Sequence, residues 1–253
     1  MKNIRIIPRL DIKGPNVVKP VHTEALRVVG DPKTFVKRYD AEGADEIMYL
    51  DIVASLYQRN LDFDLLKTVT ENVFIPVTAG GGIRTIQDIN FALRSGADKV
   101  AINTHAIRHP EFLDEAVREF GSQCIVLSVE AKRRPDGSYE AYTDGGREPT
   151  GLDVLTWVGR GIERGVGELL ITSIDRDGTE KGFELDLLTR IAQIAPIPVI
   201  VHGGAGSLES IEQAVTIGNA DAVAISSIFH FGTHSIRDVK SHLAEHGFAV
   251  RNV

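Results

Sequence analysis

A single cysteine, Cys124, among 253 residues excludes an internal disulfide and any cysteine-built zinc site, and suits a reducing compartment. No apolar run approaches the roughly 18 residues that a membrane-spanning helix needs. The first residues, Met1 to Pro8, are charged and too short in their apolar stretch for a secretory signal, so a cytoplasmic protein is expected. Long basic runs are missing too. The longest is Lys132-Arg133-Arg134, and 28 Lys and Arg against 35 Asp and Glu leave a net charge of −7. Nucleic acid is therefore a poor partner, whereas a small anion can still be held locally by backbone amides. What is present is 43% hydrophobic residues, enough for a large core. The length alone admits two ordinary domains or one α/β barrel of about 250 residues.

The pattern along the chain chooses between them. Short β-branched apolar runs alternate with amphipathic stretches without a linker, and the expected strands are Ile4–Leu10, Glu46–Ile52, Ile75–Ala79, Lys99–Asn103, Cys124–Glu130, Glu168–Ser173, Pro198–His202 and Ala222–Ser226. Their nearly continuous apolar character fits parallel strands covered on both sides. Helices are expected at Asp31–Ala41, Ile86–Arg94, Pro110–Glu119, Gly151–Arg164, Glu184–Ile194, Ser207–Thr216 and Ser235–Glu245, with Asp31, Thr85 and Ser207 as capping residues. Eight such units predict a (β/α)8 TIM barrel occupying residues 1–253 as one domain, with a doubly wound open sheet as the runner-up.

An internal repeat sharpens the prediction. Ile75-Pro76-Val77 and Gly81-Gly82 match Ile197-Pro198-Val199 and Gly203-Gly204 at an offset of 122, and the run from Ala97 to Thr104 matches that from Ala220 to Ser227 at 123. Two copies are too few for a solenoid, so the chain reads as two half-barrels of four units each.

In such a barrel, chemistry sits at the C-terminal ends of the strands. Asp11 and Glu130 occupy equivalent ends on opposite sides of the ring, placed to give a proton on one side of a substrate and take one on the other. Each acid could instead pair with a nearby lysine or cap an amide; their matched positions favour catalysis. Gly-rich turns follow the third and seventh strands at Gly80-Gly81-Gly82 and Gly203-Gly204, and small polar residues end the fourth and eighth at Asn103-Thr104 and Ser226-Ser227. The glycines alone need only signify tight turns. In register with hydroxyl residues they make two similar anion cradles, suited to a substrate with a phosphate at each end. Asp51 and the run Asp175-Arg176-Asp177-Gly178-Thr179 are further rim candidates, and Lys13–Gly30 is long enough to be a lid loop carrying Lys19. His22, His105, His109, His230, His234, His242 and His246 offer no ligand spacing on the expected barrel, so neither a metal nor a cofactor is expected.

Arg5-Ile6-Ile7-Pro8, Leu10-Asp11-Ile12-Lys13, Gly80-Gly81-Gly82-Ile83-Arg84, Gly96-Ala97-Asp98-Lys99-Val100, Thr172-Ser173-Ile174-Asp175-Arg176-Asp177-Gly178-Thr179 and Phe229-His230-Phe231 closely resemble the cyclase subunits of imidazole glycerol phosphate synthase, essentially end to end. The sister histidine-pathway isomerase shares the half-barrel repeat, but the Asp-Arg-Asp-Gly-Thr run and the Phe-His-Phe ending are similar to the cyclase. The resemblance implies an enzyme that takes ammonia from a glutaminase partner and converts a bisphosphorylated ribulosyl aminoimidazole carboxamide nucleotide to imidazole glycerol phosphate and aminoimidazole carboxamide ribonucleotide.

It also implies Asp11 as a general acid/base and Glu130 as the second catalytic carboxylate, and Lys19 as a loop lysine closing over substrate. Gly82, Asn103 and Thr104 would hold one phosphate, and Asp177, Gly178, Gly203, Gly204, Ser226 and Ser227 the other, with Asp51 and Thr172 also at the substrate. Arg5, Glu46, Lys99 and Glu168 would ring the ammonia entrance at the opposite face, where the glutaminase docks near Asp98. Four residues depart from the family pattern. Glu130 replaces the usual aspartate, Arg9 a small residue, Pro20 a glycine and His202 a small residue. These departures resemble a divergent branch associated with amidating a surface-polysaccharide sugar, which is the alternative expectation.

Overall fold

The computed structural model describes residues 2–251. The apolar runs form eight parallel strands, β1 (Arg5–Lys13), β2 (Ile47–Asp51), β3 (Val77–Gly80), β4 (Lys99–Ile102), β5 (Ile125–Arg133), β6 (Glu168–Ser173), β7 (Val199–His202) and β8 (Ala222–Ile225). Each pairs with the next, and β8 returns to β1 with Arg5 opposite Ala222, so the ring is closed. Closure by parallel pairing gives the (β/α)8 barrel and removes the open-sheet reading. The expected caps form: Asp31, Thr85 and Ser207 each accept a backbone N–H at the first turn of their helices.

Three expectations need correction. Lys13–Gly30 is not a loop but a two-stranded antiparallel ribbon, Asn16–Val21 with Glu24–Gly30, that continues β1. A second ribbon, Tyr139–Thr143 with Glu148–Asp153, continues β5 in the same way, so the helix expected from Gly151 begins only at Val154, with Asp153 as its cap. A helix absent from the expectation, Phe63–Thr70, follows β2. The ribbons belong to the two-fold repeat, yet their sequences share no obvious match.

Side chains alternate across each strand, so one in two points into the ring. That alternation stacks four inward layers. Arg5, Glu46, Lys99 and Glu168 form the bottom, and Ile7, Met48, Val126, Leu170, Ile200 and Ala222 form an apolar plug above it. Arg9, Ser128, Thr172 and His202 follow, and Asp11 and Glu130 stand at the mouth. The outward set, including Ile6, Leu10, Leu127, Leu169 and Val201, joins the helices in the larger core.

Strand starts are fixed by a repeated device. Asp45, Asp98 and Asp221 accept the backbone N–H of Ile6, Val77 and Val199, at 2.7, 2.8 and 2.8 Å. Asp98 is exposed at the face where the resemblance places the partner, and one of its oxygens is committed to this bond.

Candidate active site at the barrel mouth

Residues two apart on β1 share its inner face, so Arg9 lies directly beneath Asp11. Arg9 Nε donates to Asp11 Oδ1 at 2.8 Å, while Nη1 donates to Thr172 Oγ1 at 2.9 Å and to His202 Nδ1 at 2.9 Å. The guanidinium thus crosses the barrel from β1 to β6 and β7. Arg9 and Asp11 are both buried, and Asp11 Oδ2 has no hydrogen-bond partner. A buried carboxylate oxygen with an empty lone pair is costly unless something is meant to donate to it.

Glu130 lines the same cavity from β5. Asn103 Nδ2 donates to Glu130 Oε2 at 2.9 Å and to the Tyr142 carbonyl at 3.0 Å, which ties the end of β4 to the second ribbon. Burial raises the Glu130 pKa to about 7, against the opposing pull of Arg9. The two carboxyls therefore sit in different environments, one bonded to a guanidinium and one held near neutrality, which is how a single site runs acid and base chemistry.

The cavity in front of Glu130 and Arg9 has a volume of about 340 Å³ and is also lined by Asp51, Gly81, Gly82, Arg84, Asn103, Thr104 and Arg108. This brings together the first expected cradle and the carboxylate. Gly82 has φ 73°, and a Cβ there would lie 2.4 Å from the Arg59 carbonyl, so the turn itself demands glycine. Thr104 Oγ1 accepts the Asp144 N–H at 2.9 Å, and Asn103 Oδ1 is buried without a partner.

The second cradle is small, with about 10 Å³ free among Lys19, Asp177, Gly178, His202, Gly203, Gly204, Ser226 and Ser227. Lys19 is buried and pairs with Asp177 at 2.9 Å; the Thr23 N–H reaches the other Asp177 oxygen at 3.3 Å. Arg147 Nη2, from the second ribbon, donates to the Thr23 carbonyl at 2.7 Å. The first ribbon therefore lies across the mouth, latched on both sides. Ser226 Oγ donates to the Arg9 carbonyl at 2.9 Å.

Asp51, at the end of β2, also lines the cavity beside Glu130, and Arg59 binds both its oxygens at 2.7 and 3.0 Å. At the opposite face Arg5 pairs with Glu46 at 2.5 Å and Glu168 at 2.6 Å, and Lys99 bridges the same two carboxylates at 2.8 Å each. All four expected residues thus close one ring. Burial works against the Arg5 charge, but Glu168 and Glu46 outweigh it and raise its pKa.

Sequence reasoning marked Arg9 and His202 only as departures and did not foresee that they touch. Their contact has a signal, since both end inward-facing strand positions one layer below Asp11. Arg59, Arg147 and the second ribbon were missed because their roles depend on loop paths. His242 and His246, four residues apart, lie with Glu212 in one surface cluster that the barrel pattern did not reveal. His230, from the Phe-His-Phe run, is a packing residue, with Nδ1 2.6 Å from the Tyr39 hydroxyl.

Among the described residues no helix is long and apolar enough to cross a membrane. The profile of the family described as "Histidine biosynthesis protein" matches residues 5–235. A relative named imidazole glycerol phosphate synthase subunit HisF, from Legionella pneumophila, is 55% identical over 209 residues, which cover 83% of this chain and 99% of the relative. With the barrel, its repeat and these matches, the chain belongs to the histidine biosynthesis protein family, and within it to the HisF subunits of imidazole glycerol phosphate synthase.

Proposed function

We propose that the chain is the ammonia-using cyclase of an imidazole glycerol phosphate synthase, with Asp11 as base and Glu130 as acid. The substrate is the bisphosphorylated ribulosyl aminoimidazole carboxamide nucleotide. The products are imidazole glycerol phosphate and aminoimidazole carboxamide ribonucleotide. Ammonia adding to a carbonyl needs a proton taken from nitrogen and one delivered to oxygen. Asp11, with its bare Oδ2, suits the first task, and Glu130, half protonated near pH 7, suits the second. The opposed environments of these two carboxyls carry the reading.

Gly82, Asn103 and Thr104 hold one phosphate in the open cavity, with Arg84 and Arg108 at its rim. The other phosphate goes to Gly178, Gly203, Gly204, Ser226 and Ser227, once the Lys19 latch on Asp177 lets go. Asp51, held by Arg59, lines the same cavity, and Thr172 acts through Arg9. A glutaminase subunit docks on the face bearing Arg5, Glu46, Lys99, Glu168 and Asp98 and feeds ammonia through the plug toward Asp11. The cytoplasm is the setting. Turnover of the nucleotide with an ammonium salt and no partner tests the assignment.

The small second cradle and the buried Arg9–His202 pair favour one competing reading, delivery of ammonia to a surface-polysaccharide sugar with at most one anionic group. Under it the bisphosphate binds at the open cavity but is not converted.

A further inference from the structure

The helices Leu208–Thr216 and Ile236–Glu245 start firmly at the caps Ser207 and Ser235 and lie side by side outside β7 and β8. His242 and His246 are four residues apart, so they share one face at the end of the second helix. Glu212 meets them from the first. Its Oε2 lies 2.9 Å from His242 Nε2 and 3.9 Å from His246 Nε2, and the two rings are 4.3 Å apart between centroids. These separations bracket the ~3.4 Å between two donors that each sit ~2.1 Å from one tetrahedral ion.

The tautomer of His246 adds an independent constraint. Its Nδ1 lies 2.8 Å from the His242 carbonyl, which only accepts, so Nδ1 carries the proton. That leaves Nε2 as the nitrogen facing Glu212, 3.9 Å from its Oε2. A ligating histidine whose other ring nitrogen donates to a backbone carbonyl is the usual outer-shell arrangement of a metal site.

We propose that Glu212, His242 and His246 form a surface site for a divalent transition cation of the zinc class. Two imidazoles and one carboxylate suit Zn²⁺, Co²⁺ or Ni²⁺, and disfavour Mg²⁺ and Ca²⁺, which prefer all-oxygen shells. Three protein ligands leave a fourth position for water. The site is half-buried and far from the mouth, and a bound ion staples the helix after β8 to the one before it.

Chelator-treated full-length protein titrated with ZnCl2 and with CoCl2, by calorimetry and by visible absorption, tests this. Expected is one equivalent bound with a Kd of about 1 μM or tighter, a rise in Tm on binding, and no response to MgCl2. His246→Ala and His242→Ala should each weaken binding at least ~100-fold while leaving the far-ultraviolet circular dichroism unchanged, and His109→Ala should leave the affinity unaltered. No saturable binding at ~100 μM zinc would overturn the site, as would full binding by the His242→Ala/His246→Ala double variant.

Discussion

Arg9 Nη1 lies 2.9 Å from His202 Nδ1, and because a guanidinium only donates, the imidazole accepts there and carries its proton on Nε2. Burial lowers the His202 pKa well below its usual value, and the Arg9 charge lowers it further. The pair joins β1 to β7 at the centre of the mouth, directly under Asp11.

Removing the guanidinium should therefore cost stability through the acid it leaves behind. Arg9→Met strands a fully buried carboxylate, and urea denaturation should show a loss of about 3–5 kcal/mol. Adding Asp11→Asn should restore part of that loss, because the unpaired charge disappears. Additive losses in the double variant would mean that Arg9 acts through packing instead.

Glu130 should titrate near neutrality. With its folded pKa at about 7, the carboxyl is mostly protonated below that pH and ionised above it. A general acid is lost on ionisation, so turnover should decline as pH rises through about 7, and ¹³C NMR of the carboxyl should give the same midpoint. In Arg9→Lys the midpoint should stay near 7, since the cation is retained; in Arg9→Met it should rise. Glu130→Asp, by drawing the carboxyl back ~1 Å from Asn103, should lower the rate on the order of a hundredfold. A faster Glu130→Asp variant would show a site specialised away from this substrate.

Buried neutral histidines should make the barrel acid-labile. His230 is depressed by burial to about 3, so below the unfolded pKa of about 6.5 the unfolded chain takes up a proton that the folded one refuses. Stability is then lost as pH falls from about 6.5 toward 3, at up to ~1.4 kcal/mol per pH unit for each such group. His230→Gln should flatten that slope by one proton in pH-dependent denaturation. An unchanged slope would mean that His230 is already charged in the folded barrel.

The bottom ring should separate ammonia delivery from chemistry. Lys99→Met leaves Glu46 and Glu168 with Arg5 alone, far from Asp11 and Glu130. Turnover with ammonium salts should persist within about twofold, while glutamine-supported turnover with a glutaminase subunit should fall at least tenfold. Equal losses in both assays would place the effect in folding.

Much of this was legible in the sequence because the period-2 rule and the repeat act together. Arg5, Arg9 and Asp11 are separated by even numbers of residues on one strand, so their placement at entrance, centre and mouth follows from the strand alone. The repeat alone places Asp11 and Glu130 at equivalent strand ends. The grip of Arg59 on Asp51 was not legible, because only the path of the next loop brings the two together. The two ribbons escaped because their register is set by pairing with β1 and β5, not by local pattern.

The measurement that bears most directly on the account is steady-state turnover of the bisphosphorylated ribulosyl aminoimidazole carboxamide nucleotide by the purified chain with an ammonium salt, followed by release of aminoimidazole carboxamide ribonucleotide. The account predicts multiple turnovers that Asp11→Asn and Glu130→Gln each reduce at least ~100-fold. Binding of the nucleotide with no product at stoichiometric enzyme would contradict it.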